Sequence, residues 1–451
     1  MSKSANPAAY VLKQRLKEFP KYHPLALRTL AHMLYLNAKT KQDLATRLTI
    51  LNRAYGWAVN GSALEKRILS EIQQYLPASD NAEARNLPWY SKQVGWNRYQ
   101  QWLDRSPAAS RSLMLKAPGS NGEKGVIISY FEYNWLRLLS CIKDFKAFDK
   151  QYDIIFAASW SPGNYDMLGL ALERISGPVI VQAANYEEFS KIRNFHPRIH
   201  VLNTIPTDWL DPDVYRPVPW EEREIDLLVV ANWAVFKRHW HLFQVLAKLP
   251  ENLKIVCIGQ PDSGRTIETI RDIQHKMGAR QQIDYRQSVP IEEVIKAQAN
   301  SKLATIFSLR EGGCVAATEA LMAGTPLVLL KDAHIGSKAY INQQTGALLE
   351  PGKEHTQIAD LLENGGKLRP REWALENITC DVTHRKVNDE LKQLANVLQQ
   401  TWTADLCRPC FKPYPTFRDT SDFDALKDAS SDLTARFPEV FPEGWMQQAR
   451  K

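Results

Sequence analysis

One segment in the second half of the chain carries the residue types best suited to chemistry. It runs from Ser308 to Pro326 and reads SLREGGCVAATEALMAGTP. The pattern predicts a strand that ends at Ser308, a glycine-containing loop, and a helix that ends at a Gly324 C-cap. Glycines let backbone N–H groups approach phosphate oxygens, and the N-terminus of a helix favours negative charge. The segment therefore predicts an anion site.

Two glutamates belong to this segment. Glu311 lies in the predicted loop, and Glu319 lies about two helical turns beyond it. Carboxylates beside a phosphate site repel the phosphates unless they serve hydroxyl groups. Sugars and ribose supply such hydroxyls, so the pair indicates a ligand that combines phosphate with sugar.

The elements that must position these residues follow an alternating pattern. From about residue 112, short β-rich runs alternate with helical stretches, which is typical of a parallel sheet with crossover helices. Strands are predicted at 126–129, 153–157, 178–182 and 199–202, and in a second series at 226–230, 254–259, 282–285, 303–308 and 326–330. The intervening residues 208–224, rich in proline and acidic side chains, predict a linker. Two α/β domains joined in this way are expected to bind ligands in a cleft at the carboxyl ends of their sheets.

The first third of the chain predicts helices. Apolar residues recur at helical spacing in two runs, which are Leu44, Leu48, Leu51 and Tyr55, and Leu64, Ile68, Ile72 and Tyr75. Ser62 and Glu65 predict a capping box at the start of the second run. Residues 77–97 predict a connection, and the stretch after about residue 366 is helical in composition with no predicted strand.

The charge of the chain is unevenly distributed. Lys and Arg number 57 against 50 Asp and Glu in 451 residues, a net charge of +7. Residues 1–115 hold 17 basic and 7 acidic side chains, so the remainder is slightly acidic. The basic side chains of the first third lie between its apolar positions, which favours a solvated helix face. Contact with a membrane or another anionic surface is the alternative interpretation.

Several classes of protein are excluded by composition. With 44% hydrophobic and 24% charged residues, the chain is neither fibrous nor wholly disordered. No apolar stretch approaches the ~20 residues of a membrane-spanning helix, and the N-terminus lacks a signal pattern. Six cysteines in a chain this long favour reduced thiols. We therefore expect a cytoplasmic protein, with peripheral membrane contact as the alternative.

The segment from Glu311 to Glu319 resembles the E-x7-E motif of retaining glycosyltransferases of the two-Rossmann-domain (GT-B) type, in particular the large family four. Four further segments are similar to that family in the expected order. They are YDIIFAASW at 152–160, DWLDPDVYRP at 208–217, the basic pair Lys237 and Arg238, and the stretch from Gly336 to Gly352. The resemblance covers roughly residues 120–360.

The resemblance implies roles for particular residues. Glu311 would hydrogen-bond the hydroxyls of the donor sugar, and Glu319 would bind the ribose. The backbone amides of Gly312, Gly313 and Cys314 would lie near the sugar and the diphosphate. Lys237 or Arg238 would neutralise the diphosphate and stabilise the charge of the leaving group, and the spacing admits either residue.

The sequence also departs from the family pattern. The segment SYFEYN at 129–134 stands where many members have a glycine-rich loop, and Ala183-Ala184-Asn185-Tyr186 stands where many have a histidine. Asn185 and Glu187 are candidates for contacting the acceptor or the sugar, with turn formation as the alternative. Trp160 is a candidate for stacking on a sugar ring, with core packing as the alternative.

No metal or cofactor is expected apart from the nucleotide sugar, which is a substrate. Asp211-Pro-Asp213 matches a metal-binding DxD pattern, but its position in the predicted linker favours a turn. Cys407 and Cys410 have the spacing of half a zinc site, and no second pair of this spacing exists in the sequence.

Taken together, the sequence predicts an α/β protein with two Rossmann-like domains of GT-B type facing a cleft and a helical N-terminal extension. The predicted parts are a basic helical region at 1–111, an acceptor-side domain at 112–217, a donor-side domain at 218–365 and a helical region at 366–451.

The predicted function is transfer of a sugar from a nucleotide diphosphate donor, with retention and without a metal, to a glycan, lipid or other acceptor. One alternative is a non-catalytic nucleotide-sugar or glycan binding module. Another is a glycosyltransferase that acts on nucleic acid, which the sequence supports less because its basic and aromatic residues are not interleaved in a recognisable nucleic-acid module.

Overall fold

The computed structural model describes residues 7–76, 100–412 and 414–446. Most of the connection predicted at residues 77–97 lies outside these ranges. Within them, no helix is long and apolar enough to cross a membrane.

The strands of the described residues form two mainly parallel sheets and one hairpin. They are β1 (Ser112–Lys116), β2 (Gly125–Tyr130), β3 (Tyr152–Ala157), β4 (Val179–Gln182), β5 (Ile199–Val201), β6 (Ile225–Val230), β7 (Ile255–Gly259), β8 (Ile283–Gln287), β9 (Ser301–Ile306), β10 (Leu327–Leu330), β11 (Gly346–Leu349), β12 (Pro409–Lys412) and β13 (Tyr414–Phe417). A five-stranded sheet has the order β1-β2-β3-β4-β5, and a six-stranded sheet has the order β11-β10-β9-β6-β7-β8. Every pairing in the two sheets is parallel except β1 with β2.

Helices connect the strands and extend the chain at both ends. They are α1 (Pro7–Tyr22), α2 (Pro24–Lys39), α3 (Leu44–Trp57), α4 (Ala63–Gln73), α5 (Gln100–Asp104), α6 (Glu132–Cys141), α7 (Phe145–Asp149), α8 (Tyr165–Arg174), α9 (Phe189–Phe195), α10 (His239–Leu246), α11 (Ile267–Met277), α12 (Ile291–Ala299), α13 (Val315–Met322), α14 (Glu354–Asn364), α15 (Pro370–Asn377), α16 (Cys380–Val397), α17 (Thr420–Ala425) and α18 (Lys427–Arg436). The prediction of two Rossmann-like parallel sheets with a helical N-terminal region is confirmed.

The chain divides into two compact units. The five-stranded unit contains the described residues of His23–Trp209 and Cys380–Lys451, and the six-stranded unit contains Leu210–Thr379 together with the described part of Met1–Tyr22. The helix α1 therefore belongs to the six-stranded unit, whereas the next helix, α2, belongs to the five-stranded unit.

The predicted strands are present in both units, and most of them are short apolar runs that are buried; β8 is the exception, with no fully buried position. β2 is buried along its whole length, and β9 is buried at all but one position. Sequence reasoning missed β1 and β11, which lie at the sheet edges.

The prediction that no strand follows residue 366 is wrong, since β12 and β13 pair as an antiparallel hairpin. Its strands contain two prolines, Pro409 and Pro415, a residue that is uncommon within strands and therefore argues against a strand prediction.

The N-terminal helices begin and pack largely as their residues predict. The Ser62 hydroxyl accepts the Glu65 backbone N–H at 3.1 Å, which is half of the predicted capping box. The Glu65 carboxylate accepts the N–H of Gly61 at 2.6 Å rather than that of Ser62. The cap therefore satisfies one backbone donor in the first turn of α4 and one ahead of it.

The helix α3 packs into the core of the five-stranded unit. Its Tyr55 ring contacts Tyr165 of α8 with centroids 4.7 Å apart, and the Tyr55 hydroxyl donates to the carbonyl oxygen of Lys191 at 2.8 Å. Leu51, one turn earlier, is fully buried in the same hydrophobic cluster. The helix α3 is thus part of the core of this unit.

Truncating that contact should destabilise the whole unit. We expect Leu51→Ala to lower the free energy of unfolding by about 2–5 kcal/mol, because it leaves a cavity in a packed core. Leu36→Ala removes a side chain that is 63% exposed on α2 and should change it by less than about 0.5 kcal/mol. Denaturant unfolding measures both, and equal effects would contradict the packing of α3.

Candidate functional site

The loop that carries Glu311 is held by backbone hydrogen bonds to a neighbouring loop of the six-stranded unit. It follows β9 and precedes α13. The Glu311 N–H donates to the carbonyl oxygen of His334 at 3.1 Å, and the Gly336 N–H donates to that of Gly312 at 2.8 Å. These bonds position the glycine-containing loop at the carboxyl end of the sheet, where α/β folds bind ligands.

Glu311 forms a buried ion pair with Lys237. The Lys237 Nζ lies 2.7 Å from the Glu311 Oε2, and their side chains are 13% and 8% exposed. Burial disfavours the Lys237 charge, but the attraction of the Glu311 carboxylate outweighs it and raises the pKa of Lys237. The second carboxylate oxygen, Oε1, is buried and has no hydrogen-bond partner among the described residues. The pair therefore combines a carboxylate oxygen that accepts no hydrogen bond from the described residues with the neighbouring positive charge of Lys237.

The structure separates the two basic residues that the sequence left as alternatives. Arg238 has a left-handed backbone (φ 54°) at the start of α10. Its guanidinium Nε lies 3.1 Å from both carboxylate oxygens of Glu18 in α1, and its Nη1 donates to the carbonyl oxygen of Phe307. Trp240 also donates its indole N–H to Glu18 at 2.8 Å. The fold thus brings Lys237 to Glu311 and Arg238 to the N-terminal helix.

The same helix forms one wall of a cavity of about 650 Å³ in the six-stranded unit. Tyr10 and Glu18 of α1 line it together with Trp240, Arg265 and His239. Burial lowers the pKa of His239 to about 3, so its imidazole is neutral at physiological pH. Sequence reasoning missed Glu18, because nothing local connects it to a residue 220 positions away.

Gly312, Gly313 and Cys314 form the turn into α13. Cys314 has a left-handed backbone (φ 61°), a conformation that costs free energy for a residue with a Cβ. Burial raises the pKa of the Cys314 thiol to about 12, so the thiol is protonated. The first turn of the eight-residue helix α13 follows. The free backbone N–H groups of a first helical turn commonly bind anions.

Glu319 lies inside α13, and both of its carboxylate oxygens accept hydrogen bonds from other side chains of the protein. Tyr215 donates its hydroxyl to Oε1 at 3.1 Å, and Gln298 donates its amide to Oε2 at 3.1 Å. Burial raises the pKa of Glu319 to about 6, and the two hydrogen bonds oppose that rise. Glu311 and Glu319 thus share one helix-and-loop segment but differ in their partners. Tyr215 lies in the segment 208–217 quoted above, whereas Gln298 carried no sequence signal.

The residues suggested for the acceptor lie in the five-stranded unit. Asn185 accepts the Glu187 N–H at 2.9 Å and caps a short helical turn, as the alternative interpretation of these two residues predicts. Trp160 is 43% exposed and lines a cavity in which neither Asn185 nor Glu187 takes part. The structure therefore does not group the three residues together.

The residues weighed for metal binding form no metal cluster in the described residues. The Asp213 N–H donates to the Asp211 carboxylate at 3.0 Å, which is the geometry of a turn. Cys410 lies buried in β12, and none of the six cysteines, which all belong to the described residues, forms a disulfide. In the part of the chain that the structure describes, no group of three or more His, Cys, Asp or Glu could hold a metal ion.

Comparison with known proteins identifies the segment that carries this site. Residues 214–371 match the family model described as glycosyl transferases group 1. The match covers less than half of the chain and includes Lys237, Glu311 and Glu319. This match supports the interpretation that the protein is a glycosyltransferase. No curated protein sequence matches the chain significantly.

Solved structures show a distant likeness. Sucrose-phosphate synthase from Thermosynechococcus elongatus is 14% identical with a TM-score of 0.45, and the match covers 60% of this chain and 74% of that one. HepE from Anabaena, in complex with UDP and glucose, is 14% identical with a TM-score of 0.44, covering 60% and 77%. At this identity the likeness concerns the fold alone.

The environment of Glu319 predicts a pH dependence of stability. Its pKa rises from 4.5 in the unfolded chain to about 6 in the fold, so the folded state holds the proton more tightly. Glu319 therefore contributes about 2 kcal/mol to the free energy of unfolding below pH 4.5. This contribution is lost as the pH rises through 6.

Glu319→Gln should remove this dependence. The Gln298 Oε1 has no partner among the described residues, so a flip of that amide can accept the new N–H. We expect the difference in free energy of unfolding between variant and wild type to change by about 2 kcal/mol between pH 4.5 and 6.5. The control is Glu376→Gln, which neutralises an exposed acid of α15. A parallel pair of stability curves for Glu319→Gln and wild type would contradict the assignment.

The Glu18 contact predicts that α1 stabilises the six-stranded unit. Glu18→Gln leaves the buried guanidinium of Arg238 without its counterion, and breaking such a pair costs about 3–5 kcal/mol. Arg15→Gln removes an exposed charge one turn earlier on α1 and should have little effect. Thermal unfolding compares the two, and a melting temperature for Glu18→Gln equal to that of the control would refute the contact.

Proposed function

We propose that this protein is a retaining, metal-independent glycosyltransferase that takes a sugar from a nucleotide diphosphate donor. The observation that supports it most is the buried Lys237–Glu311 pair with its unused Glu311 oxygen, beside the first turn of α13. A buried ion pair is costly unless its remaining hydrogen-bonding capacity is satisfied. A donor with phosphate and hydroxyl groups would satisfy it.

Each residue has a role in this proposal. The free Glu311 oxygen accepts a hydroxyl of the donor sugar and orients the ring. Glu319 receives the ribose hydroxyls. The N–H groups around Gly312, Gly313 and Cys314 receive the diphosphate. These contacts place the sugar C1 and its bond to the diphosphate beside Lys237.

The chemical step separates charge, and the site is suited to that change. As the bond from C1 to the phosphate oxygen breaks, its electron pair goes to the diphosphate, the acceptor oxygen bonds to C1, and the proton of the acceptor hydroxyl passes to the departing diphosphate oxygen. Lys237 and the helix N–H groups stabilise the growing negative charge in a site that is shielded from water. This is the charge that a metal ion would otherwise balance, so we include metal independence in the proposal.

The proposal predicts that stability and turnover separate in a double variant. Lys237→Met leaves the Glu311 carboxylate uncompensated, and Glu311→Gln leaves the Lys237 ammonium uncompensated, so each single variant should unfold more easily. The double variant buries no charge there and should regain most of that stability. Its turnover should nevertheless remain at least on the order of a hundredfold below that of wild type. Without Lys237, no ammonium group stabilises the negative charge that develops on the diphosphate in the transition state.

The measurement is release of nucleoside diphosphate from a panel of UDP-, GDP- and ADP-linked sugars, alongside thermal unfolding. A matched control is the pair Lys302→Met with Asp226→Asn, which removes the ion pair of 2.8 Å at the amino ends of β6 and β9. The control should keep wild-type turnover, and so should wild-type protein treated with EDTA. Wild-type turnover in the double variant would refute the roles of Lys237 and Glu311. Failure of the intact protein to bind any nucleotide diphosphate in calorimetry would refute the function.

A non-catalytic binding module is the second candidate. The observation that favours it is the departure from the family pattern after β2 and β4, where Phe131 and Ala184 stand among residues that replace the glycine-rich loop and the histidine. Donor hydrolysis in the absence of an acceptor distinguishes the two functions. Binding of nucleotide sugars without release of diphosphate across the whole panel would favour the module.

A further inference from the structure

The N-terminal helix α1 brings a carboxylate to a pair of donors in the six-stranded unit. The Glu18 Oε1 and Oε2 each lie 3.1 Å from the Arg238 Nε, and Oε1 accepts the indole N–H of Trp240 at 2.8 Å. The Arg238 guanidinium also lies over the Trp240 ring, 5.0 Å from its centroid. A guanidinium beside an N–H donor suits a phosphate as well as a carboxylate. Arg238 and Trp240 therefore form an anion receptor, which α1 itself fills.

The anion receptor is held in place by the six-stranded unit without help from α1. The Arg238 Nη1 donates to the carbonyl oxygen of Phe307 at 3.3 Å, just beyond the end of β9. Trp240 lies in α10 and is 4% exposed. When Glu18 leaves, both donors are open to another anion.

The anion receptor lies beside the loop that carries Glu311. Arg238 directly follows Lys237, whose ammonium group bonds Glu311. The end of α1 reaches the same place. Burial raises the pKa of Tyr22, the charges of Glu18 and Glu311 raise it further, and the charge of Arg238 lowers it. Charges act on a titrating group mainly over short distances, so Tyr22 of α1 lies near Glu311.

Few apolar contacts fasten α1 to the unit. Of its 16 residues, all of which the structure describes, only Val11 is buried. Leu12, Leu16 and Phe19 are 59%, 65% and 50% exposed. The cavity of about 650 Å³ that α1 lines also leaves part of its inner side unpacked. Segments with few buried apolar contacts open at a low cost in free energy.

The last turn of α1 is also weak as a helix. Pro20 lies inside it and has no N–H to donate to the carbonyl oxygen of Leu16. A helix of this length is only marginally stable in water without tertiary contacts. The Glu18 contact is therefore the main attachment of the C-terminal half of α1, and another anion on Arg238 would release this half.

From these contacts we propose that α1 is an autoinhibitory segment of the donor site. Before the donor binds, the Glu18 carboxylate holds Arg238 and Trp240. The diphosphate of a nucleotide then displaces this carboxylate and releases the helix. The proposal rests on the function proposed above, because that function supplies the nucleotide diphosphate.

Competition from within the same chain lowers the apparent affinity for the nucleotide. The apparent dissociation constant is the intrinsic constant divided by the fraction of molecules whose anion receptor is open. An ion pair whose side chains are only 7% and 13% exposed should keep this fraction below about one tenth. Removal of the Glu18 charge should therefore tighten nucleotide binding at least about tenfold.

Calorimetry of the full-length protein with UDP, GDP and ADP tests the competition. We expect Glu18→Gln to bind the preferred nucleotide at least about tenfold more tightly than wild type, because the new amide has no charge to hold Arg238. Arg15→Gln neutralises an exposed charge on the same helix and should bind as wild type does. Equal or weaker binding by Glu18→Gln would overturn the proposal, since a purely structural role of Glu18 predicts that result.

A double variant tests whether Arg238 is the group that is set free. Glu18→Gln combined with Arg238→Gln removes both charges of the pair, so the double variant should bind the nucleotide no more tightly than wild type. A double variant that keeps the gain of Glu18→Gln would overturn the competition for Arg238, because the gain would then come from loosening of the helix alone.

Hydrogen exchange of the wild-type protein tests the release of α1 without any substitution. This measurement decides the matter even if Glu18→Gln does not fold. We expect the backbone amides of residues 7–22 to exchange faster at saturating nucleotide, whereas those of α4 should exchange at an unchanged rate. Unchanged or slower exchange in α1 would overturn the proposal.

The outcomes separate this proposal from the proposed function. Equal nucleotide binding by wild type and Glu18→Gln would refute autoinhibition and leave the function standing. Binding by neither protein would refute both. Tighter binding by Glu18→Gln without turnover of any donor would leave autoinhibition standing and favour the non-catalytic binding module.

Discussion

The ion pair between Lys237 and Glu311 is the interaction on which the proposed donor site depends. Two opposite charges are removed from water within 2.7 Å of each other, and their attraction repays the desolvation only when the remaining polar capacity is also used. One Glu311 oxygen is not used within the described residues. This incomplete satisfaction is the observation on which the proposed role of the pair in donor binding rests.

The rest of the six-stranded unit holds that pair in place. Lys237 follows β6 and Glu311 follows β9, which are neighbours in the sheet, so parallel pairing brings their carboxyl ends together. Left-handed residues at Arg238 and Cys314 turn the chain sharply from each strand into its helix. In the five-stranded unit Phe131 does the same after β2. Strained turns at the carboxyl ends of parallel strands are therefore a shared device of the two units.

The helical N-terminal region serves both units. Its first helix supplies Glu18 as the counterion of Arg238, and α3 contributes Tyr55 to the core of the five-stranded unit and Trp57 to the cavity that Trp160 lines. Part of its basic excess is also neutralised locally, because Lys39 and Arg47 both pair with Glu71. Contact of the remaining basic surface with a membrane or another anionic partner stays a prediction, as does the cytoplasmic location.

The sequence by itself determined the two series of strands and the segment that carries Glu311 and Glu319, because both are local patterns of burial, turns and helix starts. It also placed Lys237 and Arg238 between β6 and the helix that follows it. Only the tertiary structure decided that Lys237 meets Glu311 while Arg238 meets Glu18, that Tyr215 and Gln298 bond Glu319, and that Trp57 and Trp160 line one cavity. These contacts join residues far apart in the chain, and their geometry depends on how whole helices and strands pack, which no local pattern specifies.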